Sequence, residues 1–235
     1  MILALLQPGF APNLYDLACM LQADKIILQD NEEWSRKGRT HRAKIRTPDG
    51  TQWINIPVET EDRKKQIRHV RINHAVDWID PLLKTLKYNY RNSIYYDFYE
   101  PEIQADFRSA VEYEYLLPFT LYLRKRFFQF MELELELNIN STLASQYPYY
   151  DEDPDKLVTN ARADAIMQEH DSRHYMRQAE EYYTEPDFSH PVYHQHFEGF
   201  ESDCCLLDVL FQFGPESFRI TDQLLPNKSC PDSKN

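Results

Sequence analysis

The residues best placed to do chemistry lie close to the start of the chain. Gln7-Pro8-Gly9-Phe10-Ala11-Pro12 follows an apolar run, Ile2 to Leu6, and precedes Asn13, a residue type that caps helices. In open parallel sheets ligands bind at the carboxyl ends of strands, and the N-terminus of a following helix favours anions. Pro8 and Pro12 stiffen such a loop, and Gly9 lets a ligand approach the backbone. Gln7 is its orienting polar group, and Pro8 and Phe10 are candidates to line a substrate. The same six residues also suit an ordinary strand-to-helix connection with two turn prolines.

A second constellation is cationic. Residues 35 to 48 hold Arg36, Lys37, Arg39, His41, Arg42, Lys44 and Arg46 and no carboxylate, in a chain of formal charge −12. Guanidinium forks suit phosphate and carboxylate groups. Alternation puts Arg42, Lys44 and Arg46 on one face, as an anion clamp or as a hairpin edge guarded against strand pairing. Lys37, Arg39 and Arg42 are the candidate clamps. Asp30, at the end of the apolar segment Lys25 to Gln29, is the candidate general base, so the candidate catalytic pair is Asp30 and Gln7.

Other reactive residue types carry weaker signals. His170 and His174 are four apart, and His190, His194 and His196 follow. Such spacings can hold a metal, but there is no His-Glu-x-x-His, and a polar surface segment without metal is expected. Cys19, Cys204, Cys205 and Cys230 form no zinc or disulfide pattern, which suits a reducing compartment. Cys205 is a nucleophile only with a base and cations beside it; its apolar surroundings predict packing. Asp208 lies inside Leu206-Leu-Asp-Val-Leu-Phe, where a carboxylate must be paired or hydrogen-bonded. It anchors a catalytic group or arginine, or caps a neighbouring segment; with Tyr193 and Gln195 it is a candidate supporting or substrate-binding group.

The elements that must position these residues read as α/β: a parallel-sheet core of Rossmann-like type with an inserted β-hairpin and a helical segment. Ile2 to Leu6 is a strand near the sheet centre, Leu14 to Leu21 a helix capped by Asn13, and Lys25 to Gln29 a second strand. Ala43 to Arg46 and Gln52 to Ile56 form a hairpin around Pro48-Asp49-Gly50. Ile67 to Ile72 alternates and predicts a strand. Trp78 to Tyr90 and Pro101 to about Glu132 are helical, the second broken at Pro118. A strand is predicted at Leu137 to Ser141, a helix from an Asp155 cap through Leu157, Ala161, Ala165 and Ile166, and a buried helix from Cys204 to Phe213 ended by Gly214-Pro215. One domain spans 1–225, and 226–235 form a disordered tail.

Composition excludes several classes. The acidic balance disfavours broad nucleic-acid binding. No apolar run reaches 18 residues, so no membrane span is expected, and the apolar start is too short for a signal peptide. With only five glycines, the chain lacks a dinucleotide fingerprint, a P-loop and a Gly-x-Ser-x-Gly elbow. No cofactor is named by any motif.

Taken in order, Gln7-Pro8-Gly-Phe10-Ala-Pro12, Ala23-Asp24-Lys-Ile-Ile-Leu-Gln-Asp30, Trp34, Lys37, Arg42-Ala-Lys-Ile45, Gly50-Thr-Gln-Trp53-Ile-Asn-Ile-Pro57-Val58, Ile67, Trp78, Tyr88, Tyr193-His-Gln195 and Cys205-Leu-Leu-Asp208-Val-Leu-Phe211-Gln-Phe-Gly214 resemble the WbqC-like family. His41, Cys205 and Gln212 stand where the family pattern usually has Asn, Ser and Asn. The resemblance implies a bacterial cytoplasmic protein associated with surface-polysaccharide (O-antigen type) biosynthesis, a transferase that decorates sugars by acyl or aminoacyl transfer. Its partner would be an anionic small molecule, a nucleotide sugar or acyl donor. The alternative is a non-catalytic carbohydrate- or protein-binding scaffold of the same pathway. The transferase reading expects Gln7, Asp30 and Arg42 to converge in one pocket.

Overall fold

A computed structural model describes residues 1–147, 150–153, 156, 158–159, 162–169 and 180–226. Its centre is a four-stranded parallel sheet. Strand β1 (Ile2–Leu6) lies between β2 (Lys25–Leu28) and β6 (Ala165–Met167), with β5 (Leu137–Ile139) outside β2. Leu3 pairs with Lys25 and Ile2 with Ala165. The continuous apolar run of β1 is explained by burial on both faces. Ala4 and Leu6 enter the main core, whereas Leu3 and Leu5 enter a smaller one with Ile27, Leu143 and Ile166.

Helix α1 (Leu14–Gln22) follows the first loop, and Asn13 Oδ1 accepts from Asp16 N at 2.8 Å, as its residue type predicts. The antiparallel hairpin is β3 (Arg42–Thr47) with β4 (Gly50–Asn55), and Gly50 takes the left-handed φ of 126° that its turn needs. Helices α2 (Ile79–Tyr90), α3 (Tyr96–Arg108) and α4 (Leu116–Phe130) pack the main core. Helix α5 (Asn140–Gln146) follows β5, and α6 (Leu206–Phe213) ends at Gly214 with φ 51°. A Cβ at Gly214 would lie 2.6 Å from the ring of Tyr95, so this end admits only glycine.

Three sequence expectations change. Ile67 to Ile72 is not a strand: the chain bends through a short 3-10 turn, Ile67–His69. Only isolated antiparallel bridges form, Arg71 with Tyr115 and Ile72 with Val58, because the buried Asp62 carboxylate accepts Arg71 N and Arg71 Nε, each at 2.9 Å, and takes that N–H out of a longer ladder. Pro118 does not break a helix. It sits in the first turn of α4, where its missing N–H costs no internal bond, and the interruption falls just before it, after α3. Ala165 and Ile166 belong to strand β6, not to a helix. Asp155, Leu157, Ala161 and the 227–235 tail lie outside the described residues.

The hairpin is tied to α6 through a buried polar network. Asp208, 0% exposed, accepts from Tyr90 Oη (3.0 Å), Tyr193 Oη (2.9 Å) and Gln195 Nε2 (3.0 Å). Arg46 turns inward, away from solvent: its Nε donates to Gln195 Oε1 at 3.1 Å and its backbone N to Tyr90 Oη at 2.9 Å. Replacing Asp208 by Ala strips three buried donors of their acceptor. Asp208→Ala is expected to cost on the order of 3 kcal/mol, a fall in melting temperature of roughly 6–12 °C for a chain of this size. Calorimetric melting of the purified variant checks this; an unchanged melting temperature would mean the network is not structural.

Candidate functional site

The loop after β1 closes over a cleft lined by Leu6, Gln7, Gly9, Asp16, Arg39, Arg124 and Glu169, among others. It lies at the carboxyl end of the central strand and along α1, where an open parallel sheet carries its ligands. Its interior is about 20 Å³, room for about one water molecule.

The loop's shape is set by donors from elsewhere in the chain. Arg124, on the inward stripe of α4 and 1% exposed, gives Nε to Gly9 O at 2.6 Å and Nη2 to Gln7 O at 3.4 Å. Leu206 N, opening α6, reaches Pro12 O at 2.9 Å, and Cys205 N reaches Lys44 O at 2.7 Å. Gly9 is required by closeness: a Cβ there would lie 2.9 Å from the carbonyl oxygen of Arg39.

With its backbone fixed, Gln7 becomes a connector. Its Nε2 donates to Glu32 Oε2 at 2.6 Å, and its backbone N lies 3.4 Å from Glu169 Oε2. Thr40 Oγ1 lies 3.5 Å from Gln7 Oε1. Glu32 and Glu169 are half-buried residues with their carboxyl ends turned inward. Burial, then the charge of Glu32 and of Asp16, pushes the Glu169 carboxyl well above the usual carboxylate range. Burial raises Glu32 too, against the opposing hydrogen bond from Gln7. Such a pair holds a proton that lone surface carboxylates release, the condition for general acid–base work.

Arg39 forms the outer wall. Its Nη2 is 2.8 Å from both carboxylate oxygens of Asp203, which also accepts from Lys44 Nζ at 2.6 Å and from Asn13 Nδ2. Asp203 has φ 68°, a conformation uncommon outside glycine and tolerated best by Asn and Asp. An ion pair thus holds Arg39 at the wall of the cleft.

The structure sorts the candidates from the sequence. Gln7 and Arg39 line the cleft; Pro8, Phe10, Asp30, Lys37 and Arg42 do not. Phe10 is core, 6.2 Å edge-on from Phe107. Asp30 is fully buried and accepts from Ser141 N at 3.0 Å and Ser141 Oγ at 2.5 Å, fixing the start of α5. Lys37 is exposed, and Arg42 lies 4.0 Å over the Trp53 ring with its Nε on Gly38 O at 2.9 Å. Of Gln7, Asp30 and Arg42, only Gln7 therefore enters the cleft. Tyr193, Gln195 and Asp208 come together in the network below the hairpin, outside it.

The described cysteines and His41 are held in their neutral forms by burial. Cys19, Cys204 and Cys205 are buried and free, and burial pushes the Cys205 thiol up to about 12. Burial, then the charge of Arg42, lowers His41 to about 4, so it is neutral against Trp34. His190 Nε2 accepts from Asp203 N at 3.2 Å, and no metal-holding cluster occurs among the described residues. His170, His174 and Cys230 lie outside them. No helix among the described residues is long and apolar enough to cross a membrane.

Glu32, Glu169, Arg124 and Asp203 were missed by sequence reasoning. Arg124 had a readable signal: a charge on the stripe shared with Thr120, Phe127 and Phe128, where burial is expected. Because the native state binds the Glu169 proton more tightly than the unfolded chain, stability falls as pH rises above about 4.5 toward the raised value. Glu169→Gln should match the wild type at pH 4 and exceed it at alkaline pH, by on the order of 1 kcal/mol or more. Urea unfolding across pH checks this; parallel profiles would mean that Glu169 is not perturbed.

Comparison with known proteins gives a family and little else. An uncharacterized protein of Mycobacterium tuberculosis, Rv1507c, is 27% identical over 89 residues, 37% of this chain and 38% of that protein. The match thus spans well under half of its relative. No solved structure matches. The model of the WbqC-like protein family matches residues 7–220, nearly the whole chain, including the cleft loop, Arg124, Glu169 and α6, and the chain belongs to that family.

Proposed function

We propose that the cleft is the active site of a transferase acting on an activated sugar or acyl donor in bacterial surface-polysaccharide biosynthesis, in the cytoplasm. The observation that carries this reading is the Glu32–Glu169 carboxyl pair joined by Gln7 at the carboxyl end of β1. In such a transfer an acceptor hydroxyl loses its proton as it attacks the donor, and the leaving group gains one. The ionised member of a carboxyl pair takes the first proton, and the protonated member supplies the second. Gln7 orients the pair, and Arg39 supplies positive charge at the mouth. The base role that the sequence suggested for Asp30 passes to Glu32, whose ionised form the Gln7 hydrogen bond favours, with Glu169 as the acid, because the Asp30 carboxyl is occupied by Ser141.

The interior holds only a small group, so the bulk of a donor lies outside it, beside Arg39. Free, buried cysteines accord with a reducing compartment.

The test incubates the full chain with nucleotide sugars and acyl donors, sugar acceptors present, and analyses products by mass spectrometry. Turnover is expected, with Glu169→Gln slowing it by about 10²- to 10⁴-fold while donor binding persists. Donor binding by the wild type without product across the panel would overturn the transferase reading in favour of a non-catalytic carbohydrate-binding scaffold.

A further inference from the structure

We propose that Arg124 is the floor of an oxyanion subsite in the cleft, taking one carboxylate or one phosphate group of the ligand through its Nη1. The proposal rests on the reading of the cleft as a ligand site and names the group that the ligand must carry.

Arg124 is almost fully buried, yet it makes no ion pair among the described residues. Two of its nitrogens are committed to the loop carbonyls of Gly9 and Gln7. Nη1 is buried with no partner among the described residues. A buried charged donor left unmet costs several times an ordinary hydrogen bond, so a fold keeps one where something else completes it. The two carbonyl bonds also hold the guanidinium plane still beside the cavity that Arg124 lines, so completing Nη1 costs the side chain no further freedom. The cavity that Arg124 lines runs along the first turns of α1, a helix of 9 residues whose N-terminus adds to the positive field.

Size sets the class of ligand. An interior of about 20 Å³, room for about one water molecule, admits no diphosphate; a single oxyanion places one oxygen in it, against Nη1. Burial lowers the Arg124 pKa only to about 10, opposed by the fields of Asp16 and Glu169, so the guanidinium stays charged at neutral pH. The groups facing the subsite are Gln7 from β1, Asp16 from α1, Arg39 from the loop before β3, Glu169 after β6 and, through Gln7, Glu32. An incoming anion is repelled by Asp16 and by ionised Glu169. Binding is therefore coupled to protonation of Glu169 and weakens as pH rises.

The test uses the full chain, with sulfate standing for a phosphate group and acetate for a carboxylate, at constant ionic strength against chloride. The ¹⁵N–¹H resonance of Arg124 Nε is followed by NMR at pH 6 and pH 8. A saturable shift is expected with at least one anion, weaker at pH 8, and losing its pH dependence in Glu169→Gln. Response to sulfate alone assigns a phosphate group, and response to acetate alone a carboxylate. Arg124→Lys, which keeps the charge and loses the fork, should weaken binding about tenfold or more. Where that variant fails to fold, the wild-type resonance still decides. No saturable shift with either anion, or binding unaltered in a folded Arg124→Lys, would overturn the proposal and leave an ordered water as the partner of Nη1. Saturable anion binding without turnover on any donor would keep the subsite and sink the transferase reading; turnover with no anion response would do the reverse.

Discussion

The guanidinium of Arg124 on the carbonyls of Gln7 and Gly9 is the contact on which the cleft depends. A loop with prolines at positions 8 and 12 has few N–H groups and cannot close its own hydrogen bonds, so its carbonyls must find donors from distant segments. Arg124 on α4 meets two of them, and Leu206 at the start of α6 meets that of Pro12. Held at these points, the loop leaves the Gln7 side chain aimed at Glu32 and its backbone N at Glu169. Gly9, without a Cβ, lets the carbonyl of Arg39 come down against the loop and close the wall.

The acidic groups of the interior fall into two kinds. Asp62 is met by Arg71 and Lys65, and Asp208 by Tyr90, Tyr193 and Gln195. Asp30 is met by Ser141. These carboxylates have their lone pairs occupied, and each fixes a bend, a helix start or a packing interface. Glu169 is met by backbone N–H groups alone, its own and that of Gln7 at 3.4 Å, among the described residues, and faces other acids. The unmet Nη1 of Arg124 lines the same cleft, so desolvated acidic and basic groups meet there. Stability is reduced there, the usual accompaniment of an active or binding site.

Where the sequence was informative, the signal was local. The apolar run of β1, the Asn13 cap, the hairpin turn at Gly50 and the stop at Gly214 each follow from a few adjacent residues whose backbone needs are specific. The prediction of a helix through Ala165 and Ile166 failed because a strand of three residues is too short to show a period, and its edge position is set by pairing with β1. That misreading hid Glu169, which follows β6 as Gln7 follows β1. Asp30 looked like a base because it ends a strand; only α5, more than a hundred residues away, occupies it. The hairpin cations looked like one clamp, yet Arg46 is drawn inward by Gln195 and Arg42 is drawn to Trp53, contacts between segments that no local pattern encodes.

Pairing of β1 with β6 has a consequence for how the protein comes into being. The first strand of the chain meets a partner some 160 residues later, Ile2 against Ala165, and the loop that follows it is fastened by Arg124, Asp203 and Leu206. During synthesis β1 can pair early with β2 across α1, but its other edge and the carbonyls of its loop stay open until most of the chain has left the ribosome. Closing so long a loop is slow, and an apolar strand with an open edge is exposed to wrong partners while it waits. The cleft is therefore completed late: its wall waits for Glu169, and the carbonyl of Pro12 waits for Leu206.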